Sequence, residues 1–342
     1  MRSGPATLTG PAEIDRRLSI APMMDWTDRH CRYFHRLLAP RALLYTEMVH
    51  CGAILRGDAD RHLAFDRREH PVALQLGGCE PDDLARAAAI GAARGYDEIN
   101  LNCGCPSERV RRGSFGACLM REPELVATCV GAMIAAVGSK VPVTVKCRIG
   151  VDDSDDYPFL ARFVATVADA GCTNFIVHAR KAWLRGLSPK QNREIPPLRY
   201  ELVHHLRREF PALRIVLNGG LRSVATAAAE IGQVDGVMIG REAYENPWSL
   251  NAFEAALLGP GPSPLTRHEV VAAMADYAAA QSRHGVPVRA IGRHMLGLFN
   301  GLPGARAWRH RLATAGTDAD AGLLPTAASL VSVDEAEKGA VA

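Results

Sequence analysis

Between Leu18 and Gly240 the chain repeats one theme eight times: a short β-branched or aliphatic run, then a stretch with helical periodicity. The runs are Leu18–Ala21, Ala42–Glu47, Val72–Gly77, Glu98–Asn102, Val143–Arg148, Asn174–His178, Arg214–Asn218 and Gly236–Gly240. Their spacers include the Ala-rich amphipathic segments Pro81–Arg94, Pro123–Ala136 and Tyr157–Ala170. A helix between two strands lets them run parallel, and eight such units are the number that closes a (β/α)8 TIM barrel. A doubly wound open sheet is the alternative use of the same alternation.

The character changes after Trp248. Gly259-Pro260-Gly261-Pro262-Ser263-Pro264 cannot continue a helix or a strand, so it reads as a linker. Beyond it, Arg267–His284 and Arg289–Phe299 read as helices, with Gly301–Gly304 as the turn before a third. The expected organisation is a barrel over 1–258, a small C-terminal helical domain over 265–315, and a flexible tail over 316–342 rich in Ala, Gly, Ser and Asp.

Apolar residues make up 48% of 342, enough for a large core, and the longest apolar candidate, Val126–Val137, is too short to cross a bilayer. Met1-Arg2-Ser3-Gly4-Pro5 lacks a secretory h-region, so a cytoplasmic protein with no membrane contact is expected, and the pattern implies no stable protein partner beyond a monomer. The nine cysteines include no C-x-x-C pair, which argues for reduced thiols and against a zinc site. A net charge of +3 does not announce a nucleic-acid binder, so the placement of cations matters more than their sum.

Strand alternation is the informative signal. In V-A-L-Q-L-G, Gln75 opposes Leu74 and Leu76; in E-I-N-L-N-C, Asn100 and Asn102 oppose Ile99, Leu101 and Cys103. In V-T-V-K-C-R, Lys146 and Arg148 oppose Val145 and Cys147, and His178 opposes Val177. Period-two geometry turns the apolar set toward the helices and the polar set into the barrel. Gln75, Asn102, Lys146 and His178 fall near the C-terminal ends of their strands, where barrel enzymes build active sites.

Asn218-Gly219-Gly220 and Gly240-Arg241 close the seventh and eighth runs. Glycines there let backbone N–H groups approach a phosphate, and Arg241 adds a charge-assisted donor. Cys105 lies past the fourth run in Asn102-Cys103-Gly104-Cys105-Pro106, a loop at the barrel mouth, where a protonated thiol could donate a proton. Lys146 admits three readings: a Schiff-base lysine, a cation beside a phosphate-bearing cofactor, or a partner for Glu98 inside the barrel.

Three stretches carry a resemblance: Ala21-Pro22-Met23-Met24-Asp25-Trp26-Thr27-Asp28, Leu101-Asn102-Cys103-Gly104-Cys105-Pro106-Ser107 and His178-Ala179-Arg180-Lys181-Ala182-Trp183-Leu184. They resemble the tRNA-dihydrouridine synthases. Gly186–Leu198, Arg293–Phe299 and Pro303–Arg309 resemble the A subfamily. The resemblance implies an FMN-binding barrel that uses NADPH to reduce the uridine C5–C6 bond at positions 20 and 20a of the tRNA D-loop, with hydride from flavin N5 going to C6. It implies that Pro22, Met23 and Met24 line the flavin, that Gln75, Lys146 and His178 contact it, and that Asn218, Gly219, Gly220, Gly240 and Arg241 hold its phosphate. Cys105 becomes the proton donor to C5 and Asn102 a contact to the target uridine. Cys103 departs from the aliphatic residue more usual in the family, and alternation turns it away from the mouth.

Two acid-free clusters of cations fit one extended RNA ligand. Arg180, Lys181, Arg185, Lys190 and Arg193 follow the sixth run, while Arg289, Arg293, Arg306, Arg309 and Arg311 lie in the helical region with Trp308. Lys190, Arg193, Arg306 and Arg309 are the expected tRNA contacts, and Arg109, Arg111 and Arg112 extend the first cluster. The alternatives are a small-molecule flavin reductase of dihydroorotate-dehydrogenase type, an aldolase working through Lys146, and a non-catalytic tRNA-binding protein.

Overall fold

The computed structural model describes residues 14–332 apart from 109, 111, 112, 263 and 317, and in it the eight runs become parallel strands. They are β1 (Leu18–Ile20), β2 (Leu43–His50), β3 (Val72–Gly77), β4 (Glu98–Cys103), β5 (Val143–Arg148), β6 (Asn174–His178), β7 (Arg214–Asn218) and β8 (Gly236–Ile239). Each pairs with the next, and β1 also pairs with β8, so the sheet closes into a barrel and has no edge. The open doubly wound alternative is thereby excluded. β2 runs three residues past its expected end, with a register shift between Tyr45 and Met48 that turns its last residues toward the mouth.

The two faces of the strands differ as the alternation requires. Leu74, Leu76, Ile99, Leu101, Val145, Val177 and Leu217 point outward into a core shared with the surrounding helices. Inside the barrel, Leu43, Tyr45, Ala73, Ile176, Val216 and Met238 form a small apolar plug. Glu98, Asn100, Thr144 and Gln75 share that interior and are buried with it. Buried polar groups persist only when hydrogen-bonded, and these bond to one another.

Helix boundaries follow local chemistry. Asp28 caps Arg29–Leu38 by accepting from the His30 and Cys31 N–H groups, and Pro81 and Pro123 start Pro81–Ala93 and Pro123–Val137 where their missing N–H costs nothing. Gly91 lets the first of these lie on the sheet, since a Cβ there would sit 2.5 Å from Leu74 Cδ2.

Past the linker, Arg267–Ser282 starts on a capping box of Thr266 and Glu269. It packs onto the barrel through Tyr277, which stacks on Tyr33 with ring centroids 4.0 Å apart. The expected Arg289–Phe299 helix is shorter, Val288–Gly292, and continues as successive tight turns through Met295, Leu298 and Asn300. At Gly297 the chain hugs the barrel, since a Cβ there would meet the Glu245 carbonyl at 2.5 Å. Ala305–Ala313 forms as expected. Trp308 is fully buried in it, donating Nε1–H to the Met295 carbonyl at 3.1 Å and meeting Phe299 edge-on, so it packs and is not open to stack on a base. Of the tail expected over 316–342, residues 317 and 333–342 lie outside the described residues, and the described part includes regular structure. Leu323–Ala328 is a helix whose Leu324, Ala327 and Ala328 are buried with Val331 in the appendage core. Those four apolar residues outweigh the polar composition around them. Among the described residues no helix is long and apolar enough to cross a membrane.

Candidate active site

At the C-terminal ends of the strands lies a cleft of about 1680 Å³. Gln75, Asn102, Lys146 and His178 reach it from four neighbouring strands, with Pro22, Met23 and Met24 on one wall and Gly219, Gly220, Gly240 and Arg241 on another. The loop after β1 forms the first wall. Asp25 holds a left-handed φ of 64°, and its N–H donates to Glu47 at 2.5 Å. Trp26 of the same loop stacks on Tyr244 at 4.3 Å.

Cys105 stands at the rim, half-buried, in a loop pinned at several points. Asn102 Oδ1 accepts from the Gly104 and Cys105 N–H groups at 3.0 and 2.9 Å, and the Cys105 carbonyl accepts from Ala117 N–H at 2.9 Å. Arg148 donates Nε–H to the Gly104 carbonyl at 2.9 Å. The thiol itself faces Ser107 Oγ at 3.6 Å. Cys103 points the other way and is fully buried, and burial pushes its thiol well above the usual range. Cys79 and Cys118 are half-buried too, but they do not border the cleft. A thiol able to meet a ligand there is Cys105.

Lys146 does not pair with Glu98. Glu98 is taken by Arg16 at 2.6 Å near the barrel floor, whereas Lys146 Nζ donates to Asn218 Oδ1 at 3.0 Å. Burial and the neighbouring Arg148 push the lysine down to about 8. His178 is pushed well below its usual range by burial and by Arg148, Lys146, Arg180 and Arg193, so its ring is neutral at pH 7. Asn218 is spent within the barrel, because its Nδ2 donates to the Met238 carbonyl at 2.8 Å. Its side chain orients Lys146 and is not free to reach a phosphate.

The glycines after β7 form a cradle that side chains would fill. Gly219 and Gly220 have φ of 113° and 72°; a Cβ on the first would lie 2.6 Å from His178 Cδ2, and on the second 2.3 Å from Leu198 Cδ1. Among the described residues their N–H groups meet no acceptor. Such a pair of open donors beside an uncompensated lysine suits an anion.

A match to the dihydrouridine synthase (Dus) family model runs from residue 19 to residue 333, through barrel and appendage alike. The chain belongs to the dihydrouridine synthase family. It is 57% identical over 299 residues to the tRNA-dihydrouridine(20/20a) synthase of Shewanella oneidensis, covering 87% of this chain and 88% of that one. The protein of that name from Xanthomonas campestris pv. campestris is 57% identical over 308 residues, with 90% and 91% covered. Its Vibrio cholerae namesake is 53% identical over 324, with 94% and 98% covered. Among solved structures, the old yellow enzyme homologue from Zymomonas mobilis has a TM-score of 0.49 at 15% identity, over 68% of this chain and 86% of that one. Membership in an enzyme family sets aside the aldolase and the non-catalytic RNA binder.

In this dihydrouridine synthase the cations divide into two kinds. Lys181 pairs with Asp155 at 3.1 Å and lies over the Trp183 ring, so it braces its own loop, and Arg180 is turned onto the Pro196 and Glu194 carbonyls. Arg241 meets Glu194 Oε1 at 2.6 Å and the Arg193 carbonyl at 3.3 Å. Arg193 borders the cleft, where partial desolvation and Arg241 hold it below its usual value. Lys190 is exposed outside the cleft. Arg306 and Arg309 are exposed on Ala305–Ala313, with Arg309 donating to Asn300 Oδ1 at 2.9 Å. Arg109, Arg111 and Arg112 lie outside the described residues. Arg148 is the functional residue to which the sequence reading assigned no role. Nearly fully buried, it ties Gly104 to the Lys181 and Asn192 carbonyls, joining the thiol loop to the loop after β6. The signal was its place in V-T-V-K-C-R, on the inward face two residues past Lys146.

Proposed function

We propose that this dihydrouridine synthase reduces uridines 20 and 20a of the tRNA D-loop, with FMN as cofactor and NADPH as reductant, acting as a cytoplasmic monomer. The observation that carries the reading is the convergence in one cleft of Cys105, Asn102, a half-buried lysine without a carboxylate partner, and the open N–H groups of Gly219 and Gly220. A cofactor with a flat polar ring and a phosphate fits that donor set. Pro22, Met23, Met24, Gln75, Lys146 and His178 would border the ring, while Gly219, Gly220, Gly240 and Arg241 would take the phosphate. When bound and reduced by NADPH, FMN supplies the hydride that adds to uracil C6.

The chain's own residues supply the rest. Addition at C6 leaves negative charge delocalised between C5 and the C4 carbonyl, and C5 must then receive a proton. Cys105 at the rim can deliver its S–H proton there while Asn102 holds the base. Lys146 favours added negative charge at the cofactor because its Nζ faces an amide and not an acid. The target base must be swung out of the tRNA fold to reach the cleft. Lys190 and Arg193 on the loop after β6, with Arg306 and Arg309 on the helical domain over 265–315, would hold the tRNA backbone.

The purified protein, reduced by NADPH without oxygen, is expected to show its flavin absorbance return on addition of unmodified tRNA, and not on addition of uridine or orotate. Reoxidation by orotate would instead identify a small-molecule reductase. Absence of any flavin would remove the cofactor assignment.

A further inference from the structure

A single file of hydrogen bonds runs from the barrel floor to the thiol loop. Glu98 lies fully buried at the bottom, with Oε2 on Arg16 at 2.6 Å and Oε1 receiving Tyr45 Oη–H at 2.5 Å and Thr144 Oγ1–H at 2.6 Å. Thr144 Oγ1 in turn accepts from Asn100 Nδ2 at 2.8 Å. Asn100 Oδ1 accepts from Gln75 Nε2, and Gln75 Oε1 from Asn102 Nδ2, both at 2.8 Å. Asn102 Oδ1 then takes the N–H groups of Gly104 and Cys105.

Every link points the same way, and both ends admit no other sense. A carboxylate only accepts and a backbone N–H only donates. The single Thr144 hydrogen is committed to Glu98, so its oxygen must accept from Asn100, and each amide above inherits its orientation. Turned over, the Asn102 amide would put its NH2 against two backbone N–H groups and expel the loop that carries Cys105. The inherited sense also leaves Gln75 and Asn102 one N–H each to spare, and both side chains border the cleft. The mouth therefore offers donors, which suits the carbonyl edges of a pyrimidine or a flavin.

We infer that the Arg16–Glu98 pair, acting through Thr144 and Asn100, sets the orientation of the mouth amides Gln75 and Asn102 and so places Cys105. The catalytic part of this inference rests on the functional reading above. Thr144 and Asn100 are positioning residues, since neither borders the cleft.

Thr144→Val keeps the shape and removes the link. It is expected to lower kcat on tRNA by about tenfold or more with little change in KM, because the tRNA is held mainly by phosphate contacts away from the mouth while the geometry at the thiol is lost. Iodoacetamide labelling of Cys105 in the purified full-length protein, resolved from the other cysteines by peptide mass spectrometry, should speed up severalfold as the loop loosens. Thr144→Ser should restore both readouts. Tyr45→Phe, which removes a donor from Glu98 without touching the file, should change neither. Unaltered labelling and kcat in Thr144→Val would overturn the inference, as would equal effects from Tyr45→Phe or a failure of Thr144→Ser to rescue. Should the valine variant not fold, Thr144→Ala makes the same cut with less bulk. Labelling needs no substrate, so a wild type inactive on tRNA would count against the functional reading while the labelling ratio still tests the relay.

Discussion

Two cysteines two residues apart would share a face of a continuing strand, and they meet opposite fates because β4 ends at Cys103. Cys103 joins Leu101 and Cys147 in the outer core, and Cys105, beyond the strand end, joins the cleft. Cys105→Ala should therefore abolish dihydrouridine formation while leaving the fold intact. Cys103→Ala should keep most turnover and cost about 1 kcal/mol of stability through the small void it leaves, measured by denaturant unfolding. Equal loss of activity in both would dismiss Cys105 as donor. Lys146 makes a second prediction through its depressed value of about 8. Its folded value lies below the ordinary one, so holding the charge costs stability below pH 8, and that cost fades as the pH climbs toward the ordinary lysine range. The charge serves ligand binding only while it persists. FMN affinity of the apoprotein, followed by flavin fluorescence, should fall as pH rises through about 8. Lys146→Met should bind FMN about tenfold or more weakly at pH 7, lose that pH dependence, and be no less stable. A pH-independent affinity in the wild type would separate Lys146 from the cofactor.

Loops owe their shape here to residues on the strands beneath them. Arg148, anchored on β5, holds the Gly104 carbonyl of one loop and the Asn192 and Lys181 carbonyls of another. Arg148→Met should keep the apolar stem but release both loops, lowering kcat and lowering stability by about 1–3 kcal/mol as buried carbonyls lose a charged donor. Undiminished kcat would show that the thiol loop stands without it. The strands themselves were legible in the sequence, because one face of each is apolar and period two carries over directly to side-chain direction. The inward-facing Gln75, Asn102, Lys146 and His178 were legible for the same reason. Partner choice was not. That Glu98 takes Arg16, leaving Lys146 to Asn218, depends on depth along the barrel, and Arg16 comes from a segment ahead of β1. Lys181 likewise looked unpaired beside its sequence neighbours until the fold brought Asp155 from the loop after β5. The turns after Gly292 and the helix Leu323–Ala328 depend on contacts with distant surfaces, which local composition does not encode.

Barrel and appendage meet through buried and charged contacts on the side of the cleft walled by the loop after β1. Arg293 donates to the Asp25 carbonyl, and His294 contacts Asp28 at 3.1 Å, so the appendage braces the loop that carries Met23 and Met24. An RNA spanning both bodies would then meet Lys190 and Arg193 on one and Arg306 and Arg309 on the other. Arg306 and Arg309 stand one helical turn apart on the exposed side of Ala305–Ala313, with Trp308 buried behind them. If each neutralises one phosphate, replacing both with alanine releases two fewer counterions, and the slope of log affinity against log salt should shrink by roughly 1.5. Affinity for unmodified tRNA should fall across all sequences alike, since phosphate contacts carry no base information, while kcat at saturating tRNA stays near wild type. Titrations at several salt concentrations measure both quantities. A lowered affinity with an unchanged slope would mean that these arginines act through the appendage fold, and unchanged affinity would move the tRNA to another face of the barrel.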